Sequence, residues 1–245
     1  MSAPVLLVTG GSRGIGAAVC RLAGRRGYDV AVNYMRDAAA ADAVVTAVKA
    51  AGRRAVALQG DMAKEDDVAR VFAAVDRELG RLTHLVYSAG ITGSPARLEA
   101  ADAQMMREVI DLNLMGALLC MKAAIPRIST RQGGRGGAAV LLSSAAATLG
   151  APGEYVWYAA SKGAVDSMTV GLSKELAGEG IRVNSVQPGL IETEIHAPGR
   201  VERLGPTVPL GRAGTAEEVA ETILFLLSDA ASYTTGAIIR VGGGR

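Results

Sequence analysis

The chain has 245 residues, 49% hydrophobic, 20% charged and only 4% aromatic. That length suits one large domain, and that composition a core built mostly of Ala, Val, Leu and Ile. A formal net charge of +2 offers no strong attraction to nucleic acid or to an anionic membrane.

The predicted elements alternate along the chain. Val5-Leu-Leu-Val-Thr9 is an apolar run without alternation, as expected of a parallel strand covered on both faces. The turn Thr9-Gly-Gly-Ser-Arg-Gly-Ile-Gly16 leads into a helix over 15–26 that stops at Gly27. Strands are expected at 29–33, 55–58 and 82–87, with a helix over 37–51 closed by Gly52. Val68, Val71, Phe72, Val75 and Leu79 mark one helical face. Leu114, Leu118, Met121 and Ile125 do the same on a longer helix. A glycine-rich loop precedes a strand over 138–142, and the helix bearing Tyr158 runs to about 177. A sixth strand covers 181–186, Thr215-Ala-Glu-Glu218 caps a helix through Leu227, and 237–241 is the last strand. This alternation predicts an α/β fold: a single Rossmann-like domain over 1–245, doubly wound, with a mainly parallel seven-stranded sheet and helices on both faces. The Pro- and Gly-containing segment 192–214 reads either as a mobile lid or as a long connection.

Cys20 and Cys120 lie in apolar, helix-like stretches and read as buried thiols in a reducing compartment. The N-terminal segment lacks the features of a signal peptide, and no uninterrupted apolar run is long enough to span a bilayer. The expectation is a cytoplasmic protein with no membrane and no nucleic-acid partner.

Two motifs carry chemistry. Gly10-x-x-x-Gly14-x-Gly16 stands between a strand and a helix, where glycines let backbone approach a pyrophosphate and the helix N-terminus faces it. The second strand ends Asn33-Tyr-Met-Arg36, with no acidic residue to hold a ribose 2′-hydroxyl. Arg13 and Arg36 therefore favour NADP(H) over NAD(H). The second motif is Tyr158-x-x-x-Lys162, which places both side chains on one helical face. An ammonium about 4 Å away, at an effective dielectric of about 20, favours the phenolate by roughly 4 kcal/mol, or about three pK units. That would bring the phenol near neutrality, where it can act as general acid or base. Tyr155 lacks such a partner, because Ala159 lies four residues on.

Together with Ser88-Ala-Gly90, Asn113, Ser144 and Pro188-Gly189, these motifs occur in an order that resembles the short-chain dehydrogenase/reductase family. The closer likeness is to the branch of 3-oxoacyl-carrier-protein reductases and glucose 1-dehydrogenase-like enzymes. The resemblance implies a homotetramer and a small carbonyl or alcohol substrate. It implies that Tyr158 is the acid or base, that Lys162 lowers its pKa, that Ser144 holds the substrate oxygen, and that Asn113 positions a water. It implies a cofactor site of Gly10, Ser12, Arg13, Gly14, Ile15 and Gly16, with Asn33, Arg36, Asp61 and Met62 around the adenosine. Ala89 and Gly90 would line the adenosine side, and Pro188, Gly189, Ile191 and Thr193 the nicotinamide, with Tyr158 and Lys162 beside it.

Ser143 is the alternative to Ser144, and the Ser144-to-Tyr158 interval is one residue longer than the family's usual spacing. Ser88 stands where the family has asparagine, which predicts lower stability or a compensating hydrogen bond. The chain also lacks the acidic residue often found after Val241. Trp157 and His196 are expected as substrate-pocket walls, with no metal site. A nucleotide-sensing protein without catalysis, or a methyltransferase on a related sheet, would leave the Tyr-Lys pair unexplained.

Overall fold

Strands of apolar residues that alternate between two buried faces make the centre of the molecule. The computed structural model describes residues 3–245 and contains one seven-stranded sheet. The strands are β1 (Val5–Thr9), β2 (Asp29–Tyr34), β3 (Ala55–Gln59), β4 (His84–Tyr87), β5 (Gly137–Leu142), β6 (Ile181–Pro188) and β7 (Ile238–Val241). Their order is β3-β2-β1-β4-β5-β6-β7 and every pairing is parallel. The winding reverses between β1 and β4, so a crevice opens there at the carboxyl ends of the strands.

The helices are α1 (Gly14–Arg25), α2 (Ala38–Ala50), α3 (Glu65–Glu78), α4 (Ala103–Ile110), α5 (Gly116–Ile128), α6 (Ala146–Leu149), α7 (Val156–Leu176), α8 (Arg200–Leu204) and α9 (Ala216–Leu227). Leu6, Val8, Val30 and Val32 meet α1, α2 and α9 on one side of the sheet. Val5, Leu7, Ala31 and Leu85 meet α3, α5 and α7 on the other. Burial on both faces explains why the first strand shows no polar alternation. Thr215 and Glu218 form the expected reciprocal cap at the start of α9. Both cysteines are buried, and burial pushes their thiols well up.

The long middle helix departs from its predicted phase. A π turn, Asp111–Met115, joins α4 to α5. Of the expected stripe, Met121 is buried but Leu118 is 39% exposed. The face on the sheet is instead Gly116, Ala117, Cys120, Met121, Ala124 and Ile128. Gly116 is required there, since a side chain would run into the Tyr87 hydroxyl. The helix Ala103–Ile128 is long and apolar enough on average to pass for a membrane span by length and composition alone, but Arg107, Glu108, Asp111, Lys122 and Arg127 interrupt it, so it is no uninterrupted apolar run. It lies against the sheet, and its apolar content reflects a core helix.

Segment 192–214 is a folded cap. Leu190, Val208 and Ala213 make a small apolar cluster, with Val201 and Leu204 packed against it. A bridge between Ile191 and Gly214 closes its base. Arg200 grips Glu154 through two hydrogen bonds of 2.9 and 2.7 Å, and Arg13 pairs with Glu194 at 3.0 Å.

Candidate active site

The β1–α1 turn is set by close backbone approach. Gly10 has φ +61°, and a Cβ there would lie 3.0 Å from the Ala89 Cα. A side chain at Gly16 would strike the Gly10 carbonyl. Gly16 is absent from the cleft lining, so its part is to let α1 pack against the turn. Arg13, at the N-cap, makes no side-chain capping bond, and the first turn of α1 holds no acidic residue. The leading N–H groups and the positive end of the helix remain available to an anion.

A cleft of about 1150 Å³ extends from this turn across the ends of β1, β4, β5 and β6. Gly10, Ser12, Arg13, Gly14, Ile15, Arg36, Asp61, Ala89, Gly90, Pro188, Gly189, Ile191 and Thr193 all line it. The glycine cradle, the open helix terminus and this size together fit a dinucleotide. Arg36 stands just past the tip of β2. Its neighbour Asp37 is committed to capping α2, accepting from the Ala40 amide at 2.9 Å.

Three residues expected as ligands spend their polar groups or side chains on the protein. Asn33 accepts from the Gly10 amide at 3.3 Å and donates to the Leu58 and Gly60 carbonyls at 3.2 and 3.0 Å. It braces the glycine turn against β3. Met62 also borders the cleft, but its side chain is buried in the core against Cys120. Asn113, fully buried in the π turn, donates to the Ile91 carbonyl at 2.9 Å and to Ser161 at 3.1 Å, and accepts from the Ile91 amide at 2.9 Å. Both of its amide hydrogens are taken, so its side chain clamps the loop after β4 rather than donating to a water.

Tyr158 and Lys162 face the cleft from the first turns of α7. Lys162 is buried, 4% exposed as a residue; its amine donates to the Leu142 carbonyl at 2.7 Å and lies 5.7 Å from the centre of the Tyr158 ring. The two serines after β5 both border the cleft but differ in what their hydroxyls meet. Ser143 is buried and donates to the Lys162 carbonyl at 3.0 Å. Ser144 lines the cleft, accepts from the Ala146 amide at 3.1 Å, and its hydroxyl acts to lower the Tyr158 pKa.

The expected effect of lysine on the phenol is not met in this arrangement. Burial raises the Tyr158 pKa above its ordinary value, and the opposing influence is the Ser144 hydroxyl. Burial also brings Lys162 down to about 8, against the pull of Asp166. The amine sits over the ring and donates to the Leu142 carbonyl, and a lysine brought down to about 8 is itself less readily charged, so it supports the phenolate less.

Trp157 corrects another expectation. It is buried, its indole N–H donates to the Thr92 carbonyl at 2.8 Å, and it does not line the cleft. His196 does line it. Burial, with Arg200 adding to it, holds the His196 pKa below the ordinary histidine range. Tyr155, set aside from sequence for want of a lysine partner, and Arg200, not singled out, also face the cleft, with the guanidinium 5.9 Å from the ring centre. At Ser88 the Thr9 hydroxyl accepts from the Ser88 and Ala89 main-chain amides at 3.0 and 3.1 Å, bonds that do not depend on the side chain at this position. No group of metal-ligating side chains occurs among the described residues.

Known proteins share this arrangement along nearly the whole chain. The family described as Enoyl-(Acyl carrier protein) reductase matches residues 10–245. The uncharacterized oxidoreductase YgfF of Escherichia coli is 48% identical over 98% of this chain and 99% of its own length. A 3-oxoacyl-[acyl-carrier-protein] reductase of Synechocystis is 40% identical over 100% of this chain and 97% of its own. Among solved structures, a short chain dehydrogenase from Burkholderia cenocepacia in complex with NADP superposes with a TM-score of 0.92 at 31% identity, covering 99% of this chain and 98% of that one. A 3-ketoacyl-(acyl-carrier-protein) reductase from Brucella melitensis complexed with NADH gives 0.93 at 30% identity, covering 100% and 98%.

Proposed function

The chain belongs to the short-chain dehydrogenase/reductase family, and from that premise we propose an NADP(H)-dependent oxidoreductase that interconverts a carbonyl and a secondary alcohol. The observation that carries this reading is the gathering of Ser144, Tyr158 and the buried Lys162 along one cleft of dinucleotide size. When bound, a reduced nicotinamide supplies hydride to the carbonyl carbon. The Tyr158 hydroxyl gives its proton to the carbonyl oxygen, and Ser144 holds that oxygen as negative charge gathers on it. A phenol whose pKa is raised by burial stays protonated through the neutral range, which suits reduction. Alcohol oxidation needs the phenolate, so its rate is expected to climb as pH rises above neutrality. With its side-chain donors taken, Asn113 has its main-chain carbonyl, within the π turn, to offer a relay water. Purified protein given NADPH and a panel of ketones and oxoesters is expected to consume NADPH. No turnover of any panel member, in either direction, would sink the proposal.

Preference for NADP(H) is supported by Arg36 at the tip of β2, by the capping duty of Asp37, and by the lack of an acidic ribose ligand. Arg36→Ala is expected to raise the KM for NADPH about tenfold, the worth of one charge-assisted hydrogen bond, and to leave that for NADH within about twofold. Equal changes for both cofactors would remove Arg36 from the selectivity. Exposed Met115 and Leu118 on the π turn and α5, and Phe225 and Ile238 near the β7 edge, support assembly into the expected homotetramer. Mass measurement in solution tests it.

A further inference from the structure

Two lips of the cleft are tied together beyond the reacting groups. Glu154 lies in the turn between α6 and α7, four residues before Tyr158, and Arg200 opens α8 in the cap. Both line the cleft and both are half-buried. Arg200 donates from Nη1 to Glu154 Oε1 at 2.9 Å and from Nη2 to Oε2 at 2.7 Å. A planar guanidinium that meets a carboxylate through two parallel bonds is fixed in direction as well as in distance. The pair therefore crosses from lip to lip as a bar.

Both ends of the bar are braced. The Glu154 carbonyl accepts from the Ala96 amide at 3.0 Å, which ties the loop after β4 to the same turn. The Arg200 guanidinium lies 5.9 Å from the centre of the Tyr155 ring. Tyr155 meets Trp157 edge to face, 6.5 Å between centres, and Trp157 is anchored on the Thr92 carbonyl. Arg200 holds the Glu154 carboxyl below the usual carboxylate range, so the pair stays charged around neutrality. The two charges cancel, so the bar acts on a substrate by occupying space. The cap has its own apolar cluster and the Ile191–Gly214 bridge at its base, so loss of Arg200 opens the mouth without unfolding it.

The sheet order sets β2 and β1 toward one end of the cleft and the turns after β5 and β6 toward the other. The glycine turn and Arg36 belong to the first end, the bar to the second. Tyr155 precedes Tyr158 by three residues, about 4.5 Å along the helix axis. Little length therefore separates the reacting hydroxyl from the bar. We propose that Arg200 and Glu154 are specificity-determining residues: their bar closes the substrate end of the cleft and restricts the protein to carbonyl compounds with a short chain on the side facing the cap. This rests on Tyr158 marking the place of the reacting carbonyl.

The test uses symmetrical dialkyl ketones, which send the same chain toward the bar whichever way they bind. Wild type is expected to prefer diethyl ketone to dibutyl ketone in kcat/KM with NADPH. Arg200→Ala is expected to raise the dibutyl-to-diethyl ratio about tenfold, through a lower KM for dibutyl ketone, and to leave diethyl ketone within about threefold. Glu154→Ala should give the same shift, and the double variant no more than either alone, because both act on one contact. Arg200→Lys, which keeps the charge and much of the length, is expected to retain most of the wild-type preference. A ratio that does not move in either alanine variant, or an equal loss on both ketones, overturns the proposal and leaves the pair a fastening of the cap. Calorimetric titration of the two ketones into protein saturated with NADP+ requires no turnover, and dibutyl ketone is expected to bind Arg200→Ala about tenfold tighter than wild type. A wild type that turns over no carbonyl compound would refute the oxidoreductase reading, and the titration would still decide the bar.

Discussion

Tyr158→Phe is expected to cut kcat for carbonyl reduction by roughly 10³-fold while leaving the Kd for NADPH within about twofold. The ring remains, so its packing on α7 and the aromatic face beneath the Lys162 amine survive. What is lost is one oxygen, the proton donor whose pKa burial raises and the Ser144 hydroxyl opposes. A developing alkoxide would then have only Ser144 for support, and no acid positioned to quench it. Loss of one hydrogen bond costs about 1 kcal/mol of stability, small against the kinetic effect, so a near-normal melting temperature separates chemistry from misfolding. Fluorescence titration with NADPH and steady-state rates on one preparation measure both quantities. Turnover above a tenth of wild type would remove Tyr158 from its role.

Much of this site was legible because its determinants are local. The glycine turn, the Tyr-Lys pair and the strand ends announce themselves by spacing, and seven apolar runs mark strands buried on both sides. What escaped depends on helix phase and on saturation of polar groups. Trp157 is adjacent to Tyr158 in sequence, yet about 100° around the helix from it, whereas Tyr155 at i−3 shares its cleft-facing side. The stripe drawn through Leu118 failed because the real interface is made of Gly, Ala and Cys, which carry little hydrophobic signal, and because the π turn shifts the phase before α5. Asn33 and Asn113 look like ligands in a sequence. Only coordinates show their amides already spent on Gly10, Leu58, Gly60, Ile91 and Ser161. The electrostatic expectation for the phenol assumed an exposed, fully charged neighbour, and burial of both groups removes that assumption.

The serine pair at the end of β5 offers the sharpest contrast between activity and stability. Ser144→Ala is expected to lower kcat about 10²-fold, the usual consequence of removing one donor to a developing oxyanion, with little change in melting temperature. Ser144 lines the cleft, and its hydroxyl accepts from an amide of the following turn at 3.1 Å. Ser143→Ala should behave in the opposite way. Its hydroxyl is buried and donates to the Lys162 carbonyl, tying α7 to β5 where the lysine emerges. Removing it leaves a buried acceptor short of a partner and costs about 1–2 kcal/mol, seen as a lower denaturation midpoint, while kcat of the folded fraction stays within a few-fold. The two serines follow the end of β5 and both border the cleft, but the Ser143 hydroxyl is turned to the Lys162 carbonyl. Urea melts and steady-state rates on the two variants decide the matter. A catalytic collapse in Ser143→Ala with an unimpaired Ser144→Ala would reverse the assignment and move the substrate oxygen to the other side of the β5 end.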